Sequence, residues 1–338
     1  MNTYAAIDLH SNNGVLTIID ETDKVLRQRK LPNELGAFVN ELEPFRATLK
    51  GVAIESTFNW YWLVDGLIAH QFPTMLVNTA AIQQYNGLKR TDDQYDAWWL
   101  AHMMRLGILP TGHIVPRQER AVRDLFRKRL RLVQQRTANI LSIQNLEQRN
   151  RGTKIAVKEV KKLTAVRVHE LYDNDDLALA ITTTLNVITA LTEQINALEK
   201  AVLRKAKLRP EFELLRTVWG IGEILSLTIM YEAAGIARFA SAGDFASYAR
   251  CVDATRTSNG KKKSENNGKN GNRYLAWAFV EAAHFAVRAY PEAKRYYDRK
   301  SAKTNTIVAT KAIAHKLARA CFHVLRDQVP FDPKRVFV

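Results

Sequence analysis

The chain has 338 residues, 46% of them hydrophobic, and a formal net charge of +16 at pH 7. That apolar content excludes a disordered chain, and no apolar run reaches the length needed to cross a bilayer. The N-terminus lacks a basic segment followed by an apolar one, and Cys251 and Cys321 form no CxxC or disulfide pattern, so a cytoplasmic protein without a membrane partner is expected.

The charge is unevenly distributed. Residues 1–110 hold 9 Lys+Arg against 12 Asp+Glu, whereas residues 111–338 hold 41 against 22. An acidic N-terminal part joined to a basic remainder fits a protein that grips a polyanion with one part and cuts it with another. A generally basic cytosolic protein would show the same total.

Residues 4–9 (YAAIDL), 14–20 (GVLTIID) and 24–30 (KVLRQRK) read as three short strands of an antiparallel meander, with SNNG and ETD supplying the turns. A helix is expected over 33–46, with Leu35, Phe38, Val39 and Leu42 inward. GVAIE (51–55) reads as a strand, 59–70 as a Trp-rich helix and PTMLVN (73–78) as a fifth strand. A last helix, from about 93 to 106, carries Asp93, Asp96, Trp99, Leu100 and Met103. This order is that of a ribonuclease-H-like domain. It places Asp8 on the first strand, Glu55 at the end of the fourth, and Asp93 and Asp96 on one helix face. Each acid alone reads equally as solvated surface. Together, hard oxygen donors converging from strands and a helix suit Mg²⁺, and two such ions are a recurrent device in phosphodiester chemistry.

Residues 117–205 read as long helices. Phe126, Leu130, Val133, Thr137 and Ile140 form one stripe, and Arg120, Arg123, Arg127 and Arg131 line a neighbouring face as candidate nucleic-acid contacts. Ile188, Leu191, Ile195, Leu198 and Val202 step like the seam of a short coiled coil. The seam suits self-association beside a nucleic acid, or equally two helices packing within one chain. DNDD (173–176) marks a turn or a helix start.

Further on, Gly220 and Gly222 sit between two apolar helical stretches in LLRTVWGIGEILSLTIMYEA, a helix-hairpin-helix-like pattern. Such a hairpin can leave backbone N–H groups free for phosphate at a helix start, or be a plain tight turn. The segment TRTSNGKKKSENNGKNG (255–271) reads as a flexible basic loop. Arg256, Lys261, Lys262, Lys263 and Lys269 would contact a phosphate backbone. Ser258, beside Gly260, is either an incidental surface serine or a nucleophile whose developing charge those cations stabilise.

With these motifs in view, the chain resembles the DEDD transposases of the insertion-sequence "one-ten" family, which includes the Piv/MooV DNA invertases. The resemblance rests on AAIDLHSNN, GVAIEST and RTDDQYDAWWLA in the N-terminal part. In the C-terminal part it rests on VWGIGEILSLTI, FASAGDFASYARC and SNGKKKSENNGKNGNRYLAWA. It implies a RuvC-like catalytic domain at 1–112, a helical coiled-coil linker at 113–207 and a mainly helical C-terminal transposase domain at 208–338. It also implies Asp8, Glu55, Asp93 and Asp96 as a catalytic tetrad for two Mg²⁺ or Mn²⁺ ions. Ser258 would be the serine that becomes joined to a DNA end. Asp92 beside Asp93 raises a question of register, which the three-residue step to Asp96 answers in favour of Asp93. Ser264 is a second serine in the loop, but Ser-x-Gly-Lys favours Ser258.

The implied partners are donor and target DNA duplexes, a structured guide (bridge) non-coding RNA and further copies of the chain in a dimer or tetramer. The implied setting is the bacterial nucleoid. Two rival functions are a metal-dependent junction nuclease that uses water, and a nucleic-acid-binding protein without catalysis.

Overall fold

The computed structural model describes residues 1–82, 92–252, 255–265 and 270–337, with 255–258 and 262–265 described by backbone alone. Two compact units are present, one built on Met1–Arg117 and the other on Gln118–Asn267 with Gly271–Val338.

The first unit begins with β1 (Thr3–Leu9), β2 (Asn13–Asp20) and β3 (Val25–Pro32). Next come α1 (Leu35–Leu42), β4 (Leu49–Glu55), α2 (Tyr61–Ala69), β5 (Thr74–Val77), α3 (Asp93–Arg105) and the short β6 (Thr111–Gly112). The sheet order is β3-β2-β1-β4-β5-β6. β1, β2 and β3 pair antiparallel, and β4 lies parallel to both β1 and β5. The helix expected over 33–46 ends at Leu42 because Pro44 follows and the chain tightens into a 3-10 turn at Glu43–Phe45.

Side chains alternate across a strand, and this sorts the sheet into two faces. Ala5, Ile7, Leu9, Val52 and Ile54 pack with Phe38 and Leu42 of α1 and with Leu63, Val64 and Leu67 of α2. Ala6, Ala53 and Val77 pack on the other face with Leu100, Ala101, Met103 and Met104 of α3. Small residues on that face let α3 come close. An added Cβ at Gly51 would stand 2.7 Å from the Met104 sulfur.

The second unit is helical. It comprises α4 (Arg117–Arg151), α5 (Val157–Val160), α6 (Ala165–Leu171) and α7 (Asp175–Ala206). These are followed by α8 (Pro210–Arg216), α9 (Glu223–Ala233), α10 (Ala242–Tyr248), α11 (Arg273–Ala289), α12 (Pro291–Lys303) and α13 (Thr306–Asp327). Helices α4 and α7 run antiparallel, with Arg129 2.6 Å from Glu199 and Arg136 3.3 Å from Thr192. Asn174, within DNDD, caps α7 by accepting from the Leu177 N–H at 2.9 Å. Of the expected seam, Ile188, Ile195 and Val202 are buried within the chain itself, while Leu191 and Leu198 are half-buried. Ile188 joins a core shared with Ile140 and Ile143 of α4, whereas Val202 joins the larger core of α8–α13.

Within the basic segment, residues 255–265 form a hairpin where composition suggested a loop. β7 (Thr255–Ser258) pairs antiparallel with β8 (Lys261–Glu265), and Ser258 lies opposite Lys261. Asn259 and Gly260 make the two-residue turn with φ of 52° and 70°. Asn-Gly is the pair that tolerates positive φ at both positions and matches strand twist. Among the described residues, no helix is long and apolar enough to cross a membrane.

Candidate active site

The two-face alternation brings the acids together. On β1, Asp8 is two residues beyond Ala6 and so faces α3; on β4, Glu55 is two beyond Ala53 and does the same. Ala6 pairs with Ala53 in the parallel register, which makes Asp8 and Glu55 neighbours at the carboxyl ends of adjacent strands. Helix α3 then starts beneath them. The Asp92 side chain caps it by accepting from the Tyr95 N–H at 2.8 Å, while Asp93 and Asp96 occupy its first turn. This separates the adjacent aspartates by role, because capping occupies a carboxylate oxygen of Asp92.

The electrostatics are those of crowded like charges. Asp8 is buried. The Glu55 carboxyl is pushed up to about 8, by burial first, then by its hydrogen bond to Asp8 and by the charges of Asp8 and Asp96. Asp96 is also raised, by burial and then by Asp8, Asp93 and Asp92, with His10 opposing. Two carboxyls that share a site cannot both ionise cheaply, so one retains its proton.

His10 belongs to the same cluster. Its Nε2 lies 3.3 Å from Asp8 Oδ2 and 3.3 Å from Asp93 Oδ2. Its backbone carbonyl accepts from Asn59 Nδ2 at 2.8 Å and from Asn33 Nδ2 at 3.1 Å. One ligand atom each of Asp8, His10 and Asp93 fall within 4.8 Å of one another. The eight histidines are spread along the chain, and nothing in their spacing to one another singles this one out. The signal available was Asp-x-His at the end of a buried strand, where residues two apart face the same way. Crowded carboxyls, two of them raised by burial and then by their like-charged neighbours, with an imidazole nitrogen at the rim, fit a divalent cation.

The other expected site residues lie in the second unit. Ser258 ends β7, one residue before the turn. Lys261 begins β8 and is exposed. The side chains of Arg256, Ser258, Lys262 and Lys263, and all of Lys269, lie outside the described residues. The arginine row of α4 needs correcting as an open polyanion surface. Arg120 and Arg123 are buried. Arg127 donates to both oxygens of Glu232 at 2.6 and 2.7 Å and lies 4.5 Å over the Tyr274 ring, which leaves Arg131 as the exposed member.

The two glycines of the hairpin differ. Gly220 has φ of +78°, and a Cβ there would come within 2.1 Å of the Ala282 carbonyl, so packing against α11 alone requires glycine. Gly222 caps α9 without a side chain, is exposed, and has open space where a Cβ would stand.

Residues 5–149 match the DEDD transposase family of IS110 type, and residues 212–298 match the family described as "Transposase IS116/IS110/IS902 family". The chain is also 27% identical over 159 residues to "Insertion element IS110 uncharacterized 43.6 kDa protein" of Streptomyces coelicolor. That similarity covers 47% of this chain and 39% of the relative, so well under two thirds of the relative's length is spanned.

Proposed function

We propose that this chain, which belongs to the IS110 family of DEDD transposases, is a DNA transposase and site-specific recombinase that breaks and rejoins phosphodiester bonds at the ends of an insertion sequence. The observation that carries the reading is the meeting of Asp8, Glu55 and Asp96, with Asp93 linked through His10, at the carboxyl ends of β1 and β4. Strand order and register support a RuvC-like domain at 1–112. The remainder is read as a helical, coiled-coil linker at 113–207 and a serine-bearing domain at 208–338.

Asp8, Glu55, Asp93 and Asp96 would hold Mg²⁺ or Mn²⁺, two ions in the full site. When bound, such ions supply Lewis-acid stabilisation of the attacking and departing oxygens. Glu55 must release its proton for the ions to bind, while Asp8 is held in place by β1. Ser258, from the same chain or another copy, would attack phosphorus. As its Oγ–P bond forms, the P–O bond to the strand breaks, the serine proton passes to solvent and the departing oxygen gains one. The number of phosphoester bonds is unchanged, so reversal at a new strand needs no ATP. Lys261, Lys262, Lys263, Arg256, Lys269, Arg131 and the α9 N-terminus at Gly222 would hold backbone phosphates. A structured guide RNA would choose the sites in a dimer or tetramer.

The test uses the purified full chain, Mg²⁺ and a supercoiled plasmid bearing the element's ends. The wild type should yield covalent protein–DNA adducts that resist denaturation, and Ser258→Ala should yield none. Adduct-free nicking that continues undiminished in Ser258→Ala would instead establish a nuclease that uses water. RNA that co-purifies and maps to one structured segment beside the gene is expected. Random cellular RNA would overturn the guide.

A further inference from the structure

A cleft of about 670 Å³ lies in the second unit between α12, α13 and the tail at 329–336. Lys300, His315, Lys316, Arg319, His323 and Arg335 line it. Most of this lining falls after residue 298, where the matched C-terminal family segment ends. On α13, His315, Arg319 and His323 are spaced by four and so stand above one another on one face.

The cleft's acids are already engaged. Asp327 lies 2.7 Å from Arg326 and 3.8 Å from His323, and Asp332 lies 3.3 Å from Arg335. Lys316 donates to the Val336 carbonyl at 2.7 Å and sits 4.8 Å over the Tyr296 ring, which fixes its charge in the wall. Lys300 and Arg319 have no ion pair among the described residues. Burial, then the charges of Arg319 and Lys316, hold His315 below its ordinary range. Lys316 is lowered likewise, by burial and by Arg299 and Arg319. With Asp327 and Asp332 engaged, the charges of Lys300, Lys316 and the exposed Arg319 are left in excess around one concavity. That arrangement is relieved by an incoming anion.

We propose that this cleft binds the phosphodiester backbone of one nucleic-acid strand, with Lys300 and Arg319 as the free charges and Lys316 as a fixed one. Its volume is that of a small-ligand site and accommodates a short stretch of a single strand. A duplex is expected to bind it less well, because its two backbones are separated by a groove about 12 Å wide whereas the cleft gathers its charges around one. This inference rests on the reading of the chain as a nucleic-acid-processing enzyme.

The test is fluorescence anisotropy on the full chain across a salt series. The probes are a labelled 20-nucleotide oligothymidylate, the matching oligouridylate and a 20-base-pair duplex. Lys300→Gln/Arg319→Gln is compared with Arg149→Gln/Lys200→Gln, which removes the same charge from exposed helix positions elsewhere. Each phosphate contact on a single strand contributes about 0.7 to the salt slope, so the cleft variant should lose about 1.4. Counted from 1 M salt, that is about 25-fold weaker binding at 0.1 M. The control variant and the duplex should change little, and the two single strands distinguish DNA from RNA as the occupant. Equal losses in the cleft and control variants would overturn the cleft while leaving the transposase reading intact if Mg²⁺-dependent cleavage persists. A wild type that binds none of the three probes would overturn both.

Discussion

Two carboxylates, Asp8 in the first unit and Glu232 in the second, are each only 4% exposed, yet their surroundings are opposite. Glu232 is satisfied on every side. Arg127 reaches both of its oxygens, and Asn272 Nδ2, whose own Oδ1 caps α11, donates to Oε2 at 2.7 Å. Burial works against the Arg127 charge, but the Glu232 hydrogen bonds and charge outweigh it, and Arg127 is raised further above its ordinary range. Asp8 instead faces Glu55 and Asp96, whose carboxyls are raised. A buried acid with a guanidinium is part of the structure. A buried acid among other acids, with one imidazole at its rim, is a site that an incoming cation relieves.

The largest expected effect breaks the comparison on the chemical side. Asp8→Asn should lower Mg²⁺-dependent strand cleavage by at least about 100-fold, since even partners behind a metal ligand are worth about 10–100-fold. The same change removes one repelling charge, so the melting temperature of the metal-free protein should hold or rise. A fall in both would place Asp8 with Glu232 as a structural acid.

On the structural side, Glu232→Ala strands a guanidinium and should cost about 3–5 kcal/mol in urea unfolding. Replacing both partners, as Arg127→Met/Glu232→Met, should recover most of that loss, because the isolated charge causes the damage and not the absence of the pair. If the double variant is no better than Glu232→Ala, the pair itself supplies the stability.

A smaller effect concerns pH. Glu55 is raised from its ordinary 4.5 to about 8, so over that interval the folded metal-free protein keeps a proton that the unfolded chain gives up. This contribution is full below about 4.5 and is lost as pH rises through about 8, by at most about 1.4 kcal/mol per pH unit. Asp96 is raised and acts with the same sign. Melting temperatures in EDTA should fall with rising pH across this window. Saturating Mg²⁺ should offset the fall at its upper end, and Glu55→Gln should flatten it. A wild-type slope equal to that of Glu55→Gln would remove Glu55 from the cluster.

The smallest effect is at Gly222. With open space around it, Gly222→Ala should change stability by no more than about 0.5 kcal/mol, leaving duplex binding as its readout. A larger loss of stability would show that this glycine, like Gly220, serves packing.

Much of the first unit could be read from the chain. Strand alternation, the turns at SNNG and ETD, and the three-residue step from Asp93 to Asp96 located the acids, because each is a short-range pattern. The hairpin at 255–265 was also legible in Asn259-Gly260, but a reading by composition treated its polar residues as a loop. The arginine row of α4 was not legible. Period alone says which residues share a helix face and not whether that face meets solvent, so Arg120, Arg123 and Arg127 looked like a surface.

The sequence by itself determined which residues could carry chemistry and the order in which strands and helices present them, since those depend on near neighbours and on periods of two and 3.6. Tertiary structure alone decided which charges ended beside which others. It set His10 between Asp8 and Asp93, assigned Asp92 to a cap, paired Arg127 with Glu232 across 105 residues, and gathered Lys300, Lys316 and Arg319 around one cleft. The reason is physical. The ionisation of a carboxyl and the accessibility of a guanidinium depend on distance and burial in three dimensions, and neither is a property of the residue or of its neighbours in the chain.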